Sequence, residues 1–326
     1  MNILVTGGAG YIGSHSVRDL VRRGHDVTIV DRFLTGHRAA VRADLVEVDV
    51  GDAAAITRIC EQRRIEGAIH FAASAAAGES VRDPGKYFQN NVAGTIGLLN
   101  GLVEAAVRFF VFSSSSAVYG TPTSLPVAED APMHPESPYG ESKLMCEQML
   151  PWYEQAHGLR WVALRYFNAA GAALDGELGD DVRPATRILP IALEVALGIQ
   201  PAFALYGDDY PTPDGTCLRD YIHVEDLSHA HTLAMEHLAS GGASGPFNVA
   251  FGRAYSNFEL LACVKRVTGV DFPIVVRPRR PGDPAVTQGD ISKIRRVLGW
   301  QPEHDLETMV HSAWAWRRSH PEGYPH

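Results

Sequence analysis

Cysteine is scarce in this chain and poorly spaced for a metal or redox motif. Cys60, Cys146, Cys217 and Cys263 stand far apart with no Cys-x-x-Cys among them, so the expectation is four thiols in a reducing compartment. No run of Lys and Arg exceeds two residues and the formal net charge is −9, which argues against a nucleic-acid surface. No apolar run approaches the ~20 residues that a membrane span needs. The opening MNILVTGGAG starts a strand at once, without the charged and then apolar regions of a signal peptide; a cytoplasmic location is expected. Internal repeats and low-complexity tracts are absent. The 326 residues are 45% hydrophobic and 21% charged, an ordinary globular composition, long enough for one large domain or two moderate ones sharing a cleft.

Positively, the first half alternates short β-branched runs with helical stretches. NILVTG, DVTIVD, LVEVDV, GAIHFAA, FFVFSSS and RWVALRYFN read as strands. Helices are expected near 11–23, 52–63, 84–106 and 137–157. Such alternation implies an α/β fold of the Rossmann type, a doubly wound parallel sheet with helices on both faces. After Asn168 the chain becomes rich in Gly, Pro and Asp, which predicts a smaller, loop-rich α/β domain with short helices near 187–197, 225–239 and 256–268. The expected division is 1–168 for a nucleotide-binding domain and 169–326 for a substrate domain, with 220–250 returning to the main sheet.

VTGGAGYIG places Gly7, Gly10 and Gly13 directly between the first strand and the first helix. Glycines there permit a tight turn and let backbone N–H groups approach a pyrophosphate at the helix N-terminus. Asp31 ends the second strand, where a carboxylate accepts hydrogen bonds from an adenine ribose and repels a 2′-phosphate. That favours NAD over NADP, although Arg32 beside it could meet such a phosphate. Asp49 and Val50, after the third strand, are placed to contact adenine or simply to end a strand.

Given a bound dinucleotide, SPYGESK gains meaning. Tyr139 and Lys143 lie four apart, on one face of a helix. A lysine cation favours the tyrosinate, otherwise scarce near neutral pH, and such a tyrosine can act as general base toward a hydroxyl being oxidised. Ser113 to Ser116 end the strand upstream, at the sheet edge where ligands of such folds bind.

Together the glycine turn, the strand-end serines and the Tyr–Lys pair resemble the extended short-chain dehydrogenase/reductases. More narrowly, TGGAGYIGSH, NNVAGT, FSSSSAVYG, SPYGESK, DGTCLRDYIHVEDL, PRRPGD and HPEGYP resemble the UDP-glucose (UDP-galactose) 4-epimerases nearly end to end. The resemblance implies an isomerase using NAD, with Ser115, Tyr139 and Lys143 catalytic. It implies cofactor contacts at Gly7, Gly10, Tyr11, Ile12, Gly13, Asp31, Asp49, Val50, Phe71, Ala72, Asn91, Tyr139, Lys143 and Tyr166. Asn168, Arg219, Arg280 and Asp283 would hold UDP, with Ser115 also on the sugar, and Thr287 stands where some members close the sugar pocket with tyrosine. Two guanidinium groups suit a diphosphate on an acidic protein.

Departures from the family pattern are informative. Ser74 and Ala75 stand where one branch has a lysine, Arg187 where asparagine or histidine is common, and Ala117 where some have threonine. Sugar-nucleotide 4,6-dehydratases carry an Asp-Glu pair where this chain has Ser116 and Ala117, so dehydration lacks its acid and base. The sugar stays open among glucose/galactose, the N-acetylated pair and xylose/arabinose; a net oxidoreductase with exchanging cofactor, and a catalytically silent nucleotide-sensing or scaffold protein, are the other readings. His229, His231 and His237 diverge on their helix and read as packed or solvated, not as metal ligands. Trp300, Trp314 and Trp316 read as packing residues. The helices at 84–106 and 137–157 are expected side by side, forming in the resembled family a four-helix homodimer interface.

Overall fold

A computed structural model describes every residue except Pro281, which falls within PRRPGD, and His326. Thirteen strands run in chain order: β1 (Asn2–Thr6), β2 (Asp26–Asp31), β3 (Asp44–Glu47), β4 (Gly67–His70), β5 (Phe109–Ser113), β6 (Arg160–Tyr166), β7 (Asn168–Ala170), β8 (Phe203–Tyr206), β9 (Leu218–His223), β10 (Gly245–Val249), β11 (Ala254–Ser256), β12 (Ile274–Arg277) and β13 (Val286–Thr287). The main helices are α1 (Tyr11–Arg22), α2 (Ala53–Arg63), α3 (Ala77–Arg82), α4 (Pro84–Tyr87), α5 (Gly94–Glu104), α6 (Pro138–His157), α7 (Ile188–Ala196), α8 (Val224–Ala239), α9 (Asn257–Thr268), α10 (Ser292–Leu298) and α11 (Leu306–Ser319).

The main sheet has seven strands in the order β10-β6-β5-β4-β1-β2-β3, every pair parallel. Its strands are apolar on both faces because side chains alternate between two helical layers. Ile3, Val5, Phe109 and Val111 pack with Val17 and Leu20 of α1 and Ala234, Met235 and Leu238 of α8. Leu4, Phe110 and Phe112 turn the other way, onto Ile56 of α2, Leu98 and Leu102 of α5 and Leu150 of α6. The doubly wound parallel sheet expected from the sequence is therefore present. The direction of winding reverses between β1 and β4, and the crevice at the strands' carboxyl ends there is where such sheets bind ligands.

Two expectations need correction. Of the stretch 220–250, only β10 enters the main sheet, beside β6; α8 covers a face of it, and residues 218–223 build a second sheet instead. In that sheet β9 pairs with β7, β11 and β13, while β8 and β12 form a separate parallel pair. These strands are too short and too mixed in polarity to stand out among loop residues. The helix expected at 84–106 is also interrupted: Phe88–Ala93 is a π-helical segment between α4 and α5. Among the described residues no helix is long and apolar enough to cross a membrane.

Trp300 and Trp316 are buried and Trp314 packs at the edge of the α9–α11 core. The Trp300 indole N–H donates to the Asp226 carbonyl at 3.0 Å. Phe110, wholly buried in the middle of β5, reports the integrity of the sheet. Phe110→Ala should cost about 3–5 kcal/mol, read as a lowered urea midpoint with little change in slope.

Candidate active site

Strand ends gather the candidate residues. Gly7 follows β1 with φ +73°, and a Cβ on it would lie 2.6 Å from the Ala72 amide nitrogen after β4. A Cβ on Gly13 would lie 2.1 Å from the Gly7 carbonyl oxygen. Those two glycines are required by the fold itself. Gly10 is different: its Cβ would come no nearer than 3.3 Å to any neighbour, and it caps α1 with no side chain on the helix's first amides. First amides left without a side-chain cap suit a pyrophosphate. Ile12 is half-buried in the first turn of that helix. Tyr11 directs its hydroxyl to the Gly171 carbonyl at 2.7 Å, which leaves its backbone to face a nucleotide.

Asp31 closes the turn by accepting the Ala9 and Phe33 amides at 3.0 and 2.8 Å. Its neighbour Arg32 pairs with Asp49 and donates to Asn90 at 2.7 Å. The guanidinium that could have met a 2′-phosphate is thus already engaged, consistent with NAD. Asp49 also accepts the Gly51 amide at 2.8 Å, and Val50 is half-buried beside it. Phe71 packs its ring on His231, centroids 4.6 Å apart.

Asn91 lies in the π-helical segment and ties three elements together. It accepts the Ser74 amide at 2.8 Å, and donates to the Ser74 carbonyl and the Ser142 hydroxyl, each at 3.0 Å. Ser142 in turn donates to the Tyr139 carbonyl at 2.7 Å, and the Tyr139 amide donates to Ser80 at 3.1 Å. The start of α6 is fixed further by Ser137, which accepts the Gly140 amide at 3.1 Å with Pro138 at the first helical position. Tyr139 is therefore held from both sides of its backbone. Ser80 and Ser142 were not singled out by sequence reading; their signal lay in the short motifs GES and ESK.

Tyr139, Lys143 and Ser115 are all buried. Lys143 donates to the Ser113 carbonyl at 2.8 Å, with its ammonium 4.8 Å from the Phe112 ring centre. Burial lowers its pKa to about 8, partly offset by Cys146 and Glu147. Ser115 accepts the Ala117 amide at 3.2 Å, so its own proton is free to donate. Tyr166 lies beside Ser113, their hydroxyl oxygens 3.3 Å apart. Burial raises the Tyr139 phenol well above its ordinary value, with Tyr166 adding to this, while Ser115 and Arg187 act in the opposite direction. The expectation that Lys143 brings the phenol down is not met. Its ammonium is engaged by the strand-end carbonyl, and desolvation dominates at Tyr139.

Arg187, noted only as a departure, instead supplies positive charge near Tyr11, Tyr139 and Tyr166. Its guanidinium stacks on the Tyr11 ring at 4.8 Å and pairs with Asp180. A crevice bordered by Tyr11, Asp180, Leu189 and Trp316 adjoins that pair but touches none of the three candidate catalytic residues.

The second sheet carries Asn168, Arg219 and Thr287, while Arg280 and Asp283 lie in the loop between β12 and β13. Arg219 on β9 donates to Asp283 at 2.7 Å and sits in register with Thr287 of β13. Asn168 opens β7, opposite Tyr221 of β9. Arg280 lies over the Tyr206 ring at 3.9 Å. His229, His231 and His237 go separate ways, to Arg23, the Leu227 carbonyl and the Ala243 carbonyl.

The NAD dependent epimerase/dehydratase family model matches residues 3–250. The UDP-glucose 4-epimerase of Lactobacillus helveticus is 46% identical over 99% of both chains. The chain belongs to the NAD-dependent epimerase/dehydratase family, among the UDP-glucose 4-epimerases. Its fold is similar to that of UDP-glucose 4-epimerase from Brucella ovis in complex with NAD, with TM-score 0.94 and 46% identity over 96% of this chain and 97% of that one. The enzyme from Bifidobacterium longum, in complex with NAD+ and UDP, gives TM-score 0.94 at 37% identity over 99% and 100%.

Within this family the glycine geometry yields a sharp contrast. In cofactor-stripped protein, Gly13→Ala should destabilise by about 1–3 kcal/mol through overpacking. Gly10→Ala should leave the urea midpoint nearly unchanged yet lower NAD affinity in a direct titration.

Proposed function

We propose that this chain interconverts UDP-glucose and UDP-galactose by NAD-dependent epimerisation at the sugar's 4-position. The observation that carries the reading is Tyr139, Lys143 and Ser115 buried together at the carboxyl end of β5, beside a glycine turn that fits a dinucleotide. NAD, when bound, accepts a hydride from the sugar's C4 and returns it to the opposite face. Tyr139 removes the 4-hydroxyl proton, Ser115 hydrogen-bonds the reacting oxygen, and Lys143 holds the charge that the phenolate needs. The 4-keto sugar turns about its diphosphate linkage while Arg219 and Arg280, with Asn168 and Asp283, keep the nucleotide in place. Ser116 and Ala117 offer no acid–base pair for loss of water.

Residues 1–168 act as the NAD-binding portion and 169–326 as the UDP-sugar-binding portion, with β10 and α8 lent back to the first. Two chains pair through the faces of α5 and α6 that leave Ile96, Met145 and Trp152 exposed, the last at 69%. Trp152→Glu should move the protein from dimer to monomer in light scattering; an unchanged mass removes this interface.

Tyr139→Phe should lower turnover at least 1000-fold, about 4 kcal/mol of transition-state stabilisation, with NAD and UDP affinities within about twofold of wild type. More than a tenth of wild-type rate in the variant would show that Tyr139 is not the base. Thr287 leaves room for a 2-acetamido group, so activity is expected on UDP-N-acetylgalactosamine as well as UDP-galactose. Thr287→Tyr should suppress the first selectively, and equal loss of both would show that Thr287 is not the gate.

A further inference from the structure

HPEGYP, residues 320–325, takes no part in the chemistry at Tyr139, yet it folds back beside the glycine turn. Its anchor is Tyr324, buried and packed on Trp316 of α11 with ring centres 5.2 Å apart. The Tyr324 amide donates to Asp181 Oδ2 at 2.9 Å, and its hydroxyl accepts the Gly179 amide at 2.9 Å. Gly323, at φ +76°, presses on the same carboxylate, and a Cβ there would lie 2.1 Å from Asp181 Oδ2. Only glycine fits that approach. Asp181, in the loop between β7 and α7, is itself buried; it accepts the Arg183 Nε–H at 2.8 Å, and Arg317 of α11 stands 3.6 Å away.

Facing this strap is the loop after β2, which wraps the glycine turn. The Phe33 amide donates to Asp31 at 2.8 Å, the Ala9 amide donates to the same carboxylate at 3.0 Å, and the His37 amide donates to the Ala9 carbonyl at 3.0 Å. A Cβ on Gly36 would lie 3.0 Å from Ala9, so the loop lies close on the turn. The His37 side chain then crosses to the strap. Its Nε2–H donates to the Asp181 carbonyl at 3.1 Å, and its ring lies beside Tyr324 with centroids 5.0 Å apart. Loop and strap thus meet on Asp181, the loop at its carbonyl and the strap at its carboxylate. Gly10, Thr35, His37, Asp181 and Tyr324 line one crevice. A pyrophosphate on the first amides of α1 would share that crevice with the junction.

We propose that His37, Asp181 and Tyr324 are positioning residues that fasten the loop after β2 over the glycine turn and set how long NAD stays bound. The inference rests on NAD being seated at Gly10. Without the junction the loop keeps only its inner ties, to Asp31 and Ala9, and local opening away from the turn becomes easier. Slow release matters to this reaction, because the hydride taken from the sugar must return to it, and NADH lost in between would strand the 4-keto sugar. None of the three residues touches Tyr139, Lys143 or Ser115, so their effect falls on cofactor residence and not on the proton and hydride steps.

The experiment measures NAD release from the holoenzyme. Protein loaded with radiolabelled NAD is mixed with a large excess of unlabelled NAD, and the retained label is followed by rapid gel filtration. His37→Ala and Tyr324→Ala should each release label about tenfold faster than wild type. The double variant should release it no faster than the faster single variant, because both substitutions open the same junction. Rates that multiply in the double variant, or release at the wild-type rate from His37→Ala, would overturn the proposal. Should Tyr324→Ala not fold, His37→Gln carries the test: its side-chain amide can still donate to the Asp181 carbonyl without a ring, so its release should fall between wild type and His37→Ala. Release from His37→Gln as fast as from His37→Ala would overturn the proposal. Wild-type protein that binds no NAD would overturn the cofactor seat itself, whereas a wild type that holds NAD with release indifferent to His37 overturns this inference alone.

Discussion

Everything about the site depends on a lysine ammonium buried against the carbonyl of Ser113. A buried charge is costly unless it is hydrogen-bonded, and here the acceptor, the Ser113 carbonyl, comes from an element distant in sequence. The carbonyl is available because β5 ends at Ser113 and the chain turns there. The lysine reaches it because α6 crosses the end of the sheet with its first turn fixed by Ser80, Ser137 and Ser142. Moving α6 by a fraction of a turn would break the lysine's bond and carry the tyrosine with it.

From that anchor the division of labour follows. The parallel sheet fixes one wall of the crevice through backbone geometry alone: glycines with no room for a Cβ, and Asp31 holding the turn that presents it. Away from that sheet, Arg219 on β9 pairs with Asp283, and Arg280, in the loop after β12, lies over the Tyr206 ring of β8. Rigid seating of the cofactor side and exchangeable pairing on the nucleotide side suit a reaction in which the sugar must turn while its UDP stays put. Burial holds the Tyr139 phenol well above its ordinary value, so its proton must leave against desolvation.

Much of this was legible in the sequence, and the rest was hidden for identifiable reasons. The Rossmann-type sheet could be read because its strands are apolar on both faces and alternate with helical stretches, so local pattern and tertiary environment agree. The glycine turn, Asp31 and the Tyr–Lys spacing could be read because their geometry is local. The strands β8, β9, β11, β12 and β13 could not, since LRDYIH and its neighbours are short, mixed in polarity and flanked by Gly and Asp. The π-helical segment at 88–93 leaves no periodic trace, yet it places Asn91 between Ser74 and Ser142. Arg187, Glu147 and Arg165 each look like ordinary charged residues in the sequence; only the fold shows that one lies near three tyrosines and that the other two grip each other, Glu147 one turn along α6 from Lys143.

The central claim is that one hydride leaves and returns to the same carbon within a closed site. It is tested most directly with UDP-galactose carrying deuterium at C4, incubated with the purified protein without added nucleotide and analysed by mass spectrometry and NMR. The account predicts UDP-glucose that retains deuterium at C4 in full, with no deuterium in free reduced nicotinamide. Deuterium lost to solvent, or recovered in free reduced nicotinamide, would contradict it.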